Sequence, residues 1–360
     1  MLKNPKKIDF VLLSVILIIL AIGILTLASI SAAFSQKNFG NPYYFLKRQI
    51  IVGLLPGTIL GFFVFKIELN FFKKWALALF LINLILTAMV FIPGLGTERL
   101  GAIRWLKLGP ISFQPSEFLK ITSILYFSAL FCKKRKEREN LLAFLATILI
   151  ISIFLIAQPD ISTLGMIVLV SIFIYFAAGN PFWHILLMGI GGILILTMLI
   201  KFEPYRLNRI LAFLNPEKDP MGIGYHSKQA LIAVGSGGIG GLGIGMSRQK
   251  FGFLPQSISD SIFAAFAEET GFLGSATLIF LFLIFLWRGF EISKRTKDQF
   301  SKLLAFGITS LFSLQAFLNI ASMVRILPLM GMPLPFISYG GSAMISGLIG
   351  IGFLLKISKS

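Results

Sequence analysis

Long apolar segments alternate with short polar loops along almost the whole chain. A helix that crosses a membrane needs about 20 mostly apolar residues, and about ten stretches have this character. They cover residues 9–33, 48–66, 75–93, 116–132, 141–158, 161–179, 182–201, 260–287, 301–326 and 335–356. The pattern predicts an all-α polytopic membrane protein with about ten transmembrane helices, forming a single membrane domain over residues 1–360.

One loop, residues 202–259, is much longer than the others. Loops of more than about 15 residues are usually functional or disordered, and this one is too apolar and aromatic to be a solvated linker. It contains a glycine-rich run from Gly235 to Gly245. Part of the run matches G-x-G-x-x-G, but no strand–helix–strand context surrounds it. We predict instead a backbone that closely approaches a ligand or a neighbouring helix.

Composition excludes several classes of protein. The chain is 56% hydrophobic and 13% charged, whereas soluble domains carry about 25% charged residues. A formal net charge of +18 raises the question of nucleic acid, but the charges are distributed as membrane topology and anionic lipid would require. The single cysteine, Cys132, excludes an intramolecular disulfide. His184 and His226 lie far apart in the sequence, so no Cys/His metal site is predicted.

The positions of Lys and Arg in the short loops predict the orientation. Cytoplasmic loops are enriched in these residues, and the run KKRKERE at 133–139 is the strongest such signal. Both termini are then cytoplasmic, and the long loop is extracytoplasmic, between the seventh and eighth helices. We interpret the basic run as a topology-setting loop, with a partner site as the alternative.

Two groups of polar residues precede the long loop. Glu117 and Lys120 lie at i and i+3 on one face of the fourth helix, and a lysine inside the membrane requires a partner or a polar cavity. They form either a structural pair or a substrate contact. Asp160 follows Pro159 at a position typical of a helix N-cap, on the same predicted outer face as Glu117.

A second set of polar residues lies in and after the long loop. Arg248 and Lys250 follow the glycine run, and backbone amides with cationic side chains indicate a phosphate or pyrophosphate site. Contact with lipid head groups is the alternative. Asp260 lies at the outer entrance of the eighth helix and is predicted to be functional. Glu268 and Glu269 lie deeper in that helix, and for them hydrogen bonding within the bundle is favoured over function.

The last two helices add polar groups on the same side. Gln315 and Asn319, at i and i+4, are predicted to form interhelical hydrogen bonds. Ser338 belongs to a Pro- and Gly-rich break, which is tolerated within a membrane only where it is buried or lines a cavity. Because the polar groups cluster near one face, we predict binding or chemistry on a membrane-embedded substrate. A small-solute transporter, the alternative, would place its site near the midplane.

Five stretches resemble one family. They are LGPISFQPSEFLK, AQPDISTLG, RILAFLNPEKDPMGIGYHSKQALIAVGSGGIGGLGIGMSRQKFGFLP, DSIFAAFAEETGFLG and MPLPFISYGGSA. In this order they resemble the SEDS family (shape, elongation, division and sporulation), the FtsW/RodA group, over nearly the whole chain. GIGMSRQKFGFLP and NPYYFLKRQ are more similar to the division branch, FtsW, than to RodA. Ile258 and Ser259 stand where the family usually has His-Thr, Ser261 where it usually has Phe, and Met330 where Lys or Thr is frequent.

The resemblance implies a ten-helix peptidoglycan glycosyltransferase that polymerises lipid II at the outer face of the cytoplasmic membrane. It implies a class B penicillin-binding protein (a transpeptidase) as partner, together with other divisome or elongasome membrane proteins. Nucleic acid is not an expected partner. A lipid II flippase and a non-catalytic scaffold of the division machinery are the alternatives.

The resemblance also implies roles for single residues. Asp260 would be the general base, and undecaprenyl pyrophosphate would leave. A divalent cation, Mg²⁺ or Mn²⁺, could assist at the pyrophosphate, although the sequence shows no site for one. The candidates for substrate binding are Glu117, Lys120, Asp160, Arg206, Arg248, Lys250 and Ser338. The candidates for supporting roles are Glu268, Glu269, Gln315 and Asn319.

Overall fold

The computed structural model describes residues 8–99, 101–109, 111–133, 136–184 and 222–359, with a few positions between (186, 188–192, 197, 211, 213 and 214). The predicted helix at 182–201 is described only in part, and most of the first half of the long loop, including Arg206, lies outside the described residues.

Apolar α-helices account for most of the described chain, as predicted. The first seven are α1 (Phe10–Phe39), α2 (Tyr44–Gln49), α3 (Leu55–Lys66), α4 (Leu69–Met89), α5 (Pro115–Phe131), α6 (Glu137–Ala157) and α7 (Ile161–Ala177). After the partly described region come α8 (Ile223–Ser236), α9 (Ile262–Arg295), α10 (Gln299–Met323) and α11 (Gly341–Lys359).

Seven helical segments among the described residues are long and apolar enough to cross a membrane. One of them joins α2 and α3 through a π-helical stretch, Ile50–Leu54. Helices α5 and α7 have 17 residues each and match two further predicted spans. The prediction of a multi-pass membrane protein is confirmed.

A small β-sheet lies in the loop between α4 and α5, which the sequence pattern did not predict. Strands β1 (Gly96–Arg99), β2 (Ala102–Leu108) and β3 (Ile111–Phe113) form an antiparallel sheet in the order β1-β2-β3. The strands are short, and a register shift between Thr97 and Glu98 interrupts the pairing. Strands this brief lack the long alternation of apolar and polar residues by which a strand is identified.

Helix ends meet at two opposite ends of the bundle. At the Asp9 end, the Asp9 carboxylate caps α1 and forms an ion pair with Arg288 of α9. The Asp9 amide donates to Ser358 Oγ of α11. The N-terminus of α1 and the C-terminus of α11 therefore lie on the same side of the bundle. Asp260 lies at the other end, called here the Asp260 end.

Small residues allow the closest helix packing. A Cβ on Gly57 would lie 3.1 Å from Ile345 Cα, and one on Gly61 would lie 2.6 Å from Leu348 O. Helix α3 thus contacts α11 backbone to backbone, in agreement with the small-xxx-small spacing of its glycines. Helix α10 lies in the centre of the bundle, and most of its residues are buried.

Candidate active site

Asp260 lies in a tight turn before α9. The Ser259 and Ser261 amides both donate to Gln256 O, at 3.0 and 3.2 Å, and Gln256 has a φ of 50°. Asp260 is half-buried. Its carboxylate is directed toward Gly331, where an added Cβ would lie 3.6 Å from Asp260 Oδ2. The carboxylate thus lies at the end of the bundle beside a residue without a side chain.

The Pro- and Gly-rich break after α10 fixes this turn. Ser338 Oγ donates to Ser259 O at 2.6 Å and accepts from the Leu334 amide at 2.8 Å. The Tyr339 amide donates to Ile258 O at 2.9 Å. Ser338 therefore contacts the main chain next to Asp260.

Asn319 of α10 joins the same two segments. Its amide nitrogen donates to Asp260 O at 2.8 Å and to Met332 O at 2.6 Å. Asn319 thereby links the backbone of Asp260 to the backbone of the break through two carbonyl groups.

A buried ion pair lies on the other side of the break. Lys120 Nζ is 2.9 Å from Glu117 Oε2 and donates to Gln315 Oε1 at 3.0 Å. The Gln315 amide nitrogen donates to Pro333 O at 2.8 Å. Glu117, Lys120, Gln315 and Ser338 line a small cavity together with residues 333–336. The segment 332–338 thus connects the Asp260 turn with a cavity lined by an ion pair.

Asp160 is held by its surroundings. It is the N-cap of α7, with Oδ1 accepting from the Thr163 amide at 3.4 Å, and its Oδ2 accepts from Ser116 Oγ at 2.9 Å. Arg104 Nη1 lies 3.9 Å from Asp160 Oδ1, and the same guanidinium donates to two backbone carbonyls just before Asp160. Arg104 thus attaches β2 to the start of α7.

The glycine-rich run packs against α9 where that helix is broken. Gly271 has φ 66° and ψ −163°, which interrupts the helical hydrogen bonds. The Leu242 and Gly243 amides donate to the Glu268 and Glu269 carbonyls at 3.0 and 3.1 Å. The Phe272 and Leu273 amides donate to carbonyls of the run at 2.9 and 3.1 Å. The run thereby supplies the hydrogen bonds that the break removes, as buried backbone groups require.

Two adjacent glutamates hold the segment that follows the run. Glu268 accepts from Ser247 Oγ and from the Arg248 amide, the latter at 2.9 Å. Glu269 pairs with Lys250 at 3.1 Å and accepts from Ser29 Oγ of α1 at 2.6 Å.

The basic residues proposed for phosphate binding occupy different environments. Lys250 Nζ is buried, and it also donates to Gly245 O at 2.6 Å. Arg248 is exposed. Lys120 is buried beside the cavity. Of these three, Arg248 presents its charge to the surroundings and Lys120 presents its charge near the break.

Two polar contacts at the Asp260 end escaped the sequence analysis. Gln49 is buried; it donates to Ser338 O at 3.3 Å and accepts from the Gly340 amide at 3.0 Å. His226 Nε2 lies 2.6 Å from Ser261 Oγ. The only local signal for Gln49 is a lone amide at the start of an apolar helix. The only signal for His226 and Ser261 is that both lie in stretches that resemble the family.

The described residues do not gather three His, Cys, Asp or Glu side chains into a group that could hold a metal ion. Glu117 is paired with Lys120, and Asp160 lies beside Arg104. This set of described donors does not fit a cation caged by the protein alone.

The Asp260 end offers a half-buried carboxylate and, in neighbouring segments, basic side chains. A half-buried carboxylate with a rigidly held main chain can accept a proton from a hydroxyl that comes within hydrogen-bond reach. Cations near the break can stabilise negative charge that develops on a leaving group.

The chain is similar to known proteins over almost its whole length. The chain is 35% identical over 355 residues to the stage V sporulation protein E of Bacillus subtilis, covering 98% of this chain and 97% of that protein. It is 37% identical over 365 residues to a probable peptidoglycan glycosyltransferase FtsW of Trichlorobacter lovleyi, covering 99% and 95%.

Solved structures share the fold. One from a study of the coordination of polymerization and crosslinking by a peptidoglycan synthase complex has a TM-score of 0.81 and 25% identity, and covers 98% of this chain and 97% of that one. The rod shape determining protein RodA of Thermus thermophilus has a TM-score of 0.71 and 24% identity, with coverage of 98% and 96%. A sequence model of the FtsW/RodA/SpoVE family, described as cell cycle protein, matches residues 10–360. The chain belongs to this family.

Proposed function

We propose that this protein is a peptidoglycan glycosyltransferase that polymerises lipid II into glycan strands. The observation that carries the proposal is the Asp260 turn, whose backbone carbonyls at residues 258, 259 and 260 each accept a hydrogen bond from another segment. The relatives named as probable peptidoglycan glycosyltransferases support the same chemistry.

In the proposed reaction Asp260 is the general base. Its carboxylate accepts the proton of the acceptor GlcNAc 4-hydroxyl while that oxygen forms a bond to the anomeric carbon of the donor MurNAc. The bond from this carbon to the pyrophosphate oxygen breaks, and undecaprenyl pyrophosphate leaves with the electron pair. Attack from the opposite face inverts the anomeric carbon and gives a β-1,4 link.

The cations have separate roles in this proposal. Lys120, held by Glu117, and the exposed Arg248 are assigned to stabilise the leaving pyrophosphate. Lys250 acts indirectly, because its buried pair with Glu269 holds the segment that presents Arg248. Arg206 remains a predicted contributor outside the described residues. A Mg²⁺ or Mn²⁺ ion that arrived with the substrate would supply further positive charge at the pyrophosphate.

We place the protein in the cytoplasmic membrane, with the Asp260 end on the outer side. Lipid-linked disaccharide on that side would be its substrate. The proposed partner is a class B penicillin-binding protein, which would cross-link the strands as they form. The full-length likeness to a chain from a peptidoglycan synthase complex supports this assignment.

The test is polymerisation of purified lipid II by the protein, reconstituted in vesicles with its candidate transpeptidase. Asp260→Ala and Asp260→Asn should lower the rate by about a hundred- to ten-thousand-fold, the usual contribution of a general base. Glu291→Gln is the control, because Glu291 forms an i,i+4 pair at the Asp9 end of the bundle and should leave the rate unchanged.

Other outcomes separate the alternatives. Equal rates for the wild type and both Asp260 variants would mean that Asp260 is not the base. Passage of labelled lipid II across vesicles without strand formation would identify a flippase. Neither polymerisation nor passage would identify a scaffold.

A further inference from the structure

A hydrogen bond between α8 and α9 lies directly beside the proposed base. Ser261 follows Asp260 and is the N-cap of α9, fully buried. A serine at this position usually accepts a hydrogen bond from an amide of the first helical turn. The Ser261 hydroxyl makes no such capping bond. It lies 2.6 Å from His226 Nε2 instead.

The diverted hydroxyl carries a cost. The first amides of a helix lack partners within it, and a serine cap normally stabilises the helix by accepting from one of them. Here the cap residue contributes its hydroxyl to α8. The hydrogen bond to His226 therefore replaces a capping bond that would have stabilised only α9.

His226 belongs to the face of α8 that packs on α9. Ala230 and Ala233 follow it at i+4 and i+7, and both are fully buried. Gly237, just beyond α8, continues this face, because a Cβ there would lie 3.1 Å from the Ala267 carbonyl carbon. Small residues bring the two helices close together, and His226 supplies the polar contact at the end nearest Asp260.

The contact joins the Asp260 turn to α8, an element that contributes none of the bonds from Asn319, Ser338 and Tyr339. Asn319, Ser338 and Tyr339 hold the carbonyls of residues 258–260, and all three lie in α10 or in the break after it. His226 approaches from α8 and holds the side chain immediately after the acid. Fixation from both sides restricts the direction in which the Asp260 carboxylate points.

We propose that His226, acting through Ser261, is a positioning residue for Asp260. The proposal rests on the proposed function of Asp260 as the general base. Misplacement of a catalytic group by about 1 Å can cost about a hundredfold in rate. Loss of the contact should therefore lower kcat and leave KM nearly unchanged, because neither side chain is assigned to substrate binding.

The test measures initial rates of lipid II polymerisation at several lipid II concentrations for the reconstituted protein with its transpeptidase. His226→Ala and Ser261→Ala should each lower kcat about ten- to a hundredfold, with KM within about twofold. The double variant should be no slower than the slower single variant, because the two residues act through one contact. His226→Gln should restore most of the rate, since its amide can also reach the hydroxyl. Lys228→Ala, an exposed position on the same helix, is the control.

Hydrogen–deuterium exchange separates positioning from folding. In His226→Ala, faster exchange should be confined to peptides around residues 254–266 and the start of α8. Faster exchange throughout α8 and α9 would show a structural role and overturn the proposal, as would losses that multiply in the double variant. An active wild type with unchanged kcat in His226→Ala would overturn the positioning role alone. An inactive wild type would contradict the proposed function, and the positioning role would fall with it.

Discussion

Lys120 carries its charge in a place that water hardly reaches. The exposed fraction of its side chain is 6%, and that of its partner Glu117 is 8%. Desolvation of two such charges is expensive, and removal of one partner leaves the other buried without compensation. The structure around the cavity therefore depends on both members of the pair being present.

Glu117→Gln or Lys120→Met alone should lower the free energy of unfolding by about 3–5 kcal/mol, the usual cost of breaking a buried pair. The double variant should recover most of this loss, because no lone charge remains. The measurement is thermal unfolding of the purified protein in detergent. Arg295→Ala is the control: its side chain is 69% exposed, and its pair with Glu291 should contribute about 0–1 kcal/mol. Equal shifts for the buried and exposed pairs would show that the Lys120 pair is solvated.

At the scale of elements, the break in α9 determines how the long loop attaches to the bundle. Gly271 adopts a φ of 66°, which disfavours any residue with a Cβ. Its neighbours across the contact are backbone atoms: an added Cβ would lie 2.6 Å from Ile239 O and 2.8 Å from Gly240 C. Backbone atoms cannot move aside as a flexible side chain can.

Gly271→Ala should therefore detach the glycine-rich run from α9 and reduce the yield of folded protein severely. Limited proteolysis should then cleave within residues 237–247, a segment that stays protected in the wild type. Gly235→Ala is the matched control. Gly235 lies in α8 with no atom within 4 Å of an added Cβ, and alanine in a helix is favoured over glycine by up to about 1 kcal/mol. Wild-type protection in Gly271→Ala would mean that the run is not held by this contact.

Local patterns predicted the contacts that local spacing can determine. The Glu117–Lys120 pair follows from an i,i+3 spacing, and the close approach of the glycine run follows from its composition. Gln49 escaped because its partners lie 289 and 291 positions away in the chain. The bond between His226 and Ser261 escaped for the same reason, since no periodicity relates a residue of the long loop to one at a helix start. The β-sheet was missed because its strands are short and its register depends on turn geometry.

At the scale of the whole molecule, the two ends of the bundle differ in kind. The Asp9 end is held by polar contacts among α1, α9 and α11. The Asp260 end contains the irregular segments and the polar contacts of the candidate site. A candidate site confined to one end suits a substrate that is presented on one side of a membrane.

The orientation can be tested with single cysteines in a Cys132→Ser background, which is convenient because Cys132 is the one native cysteine. Phe253→Cys, at an exposed position of the Asp260 end, should react with a membrane-impermeant thiol reagent in intact cells. Lys297→Cys, exposed beyond α9 at the Asp9 end, should react only after permeabilisation. The reverse labelling pattern would invert the proposed topology.

The bonds from Ser338 and Tyr339 to the Asp260 turn also determine when the site can form during biosynthesis. Ser259 and Ile258 leave the ribosome about 80 residues before their partners, and most apolar segments have been synthesised by then. The acid therefore acquires its fixed position only when the last membrane segment is made. A stop codon shortly before residue 338 would leave most of the membrane-embedded chain intact and would still prevent assembly of the site.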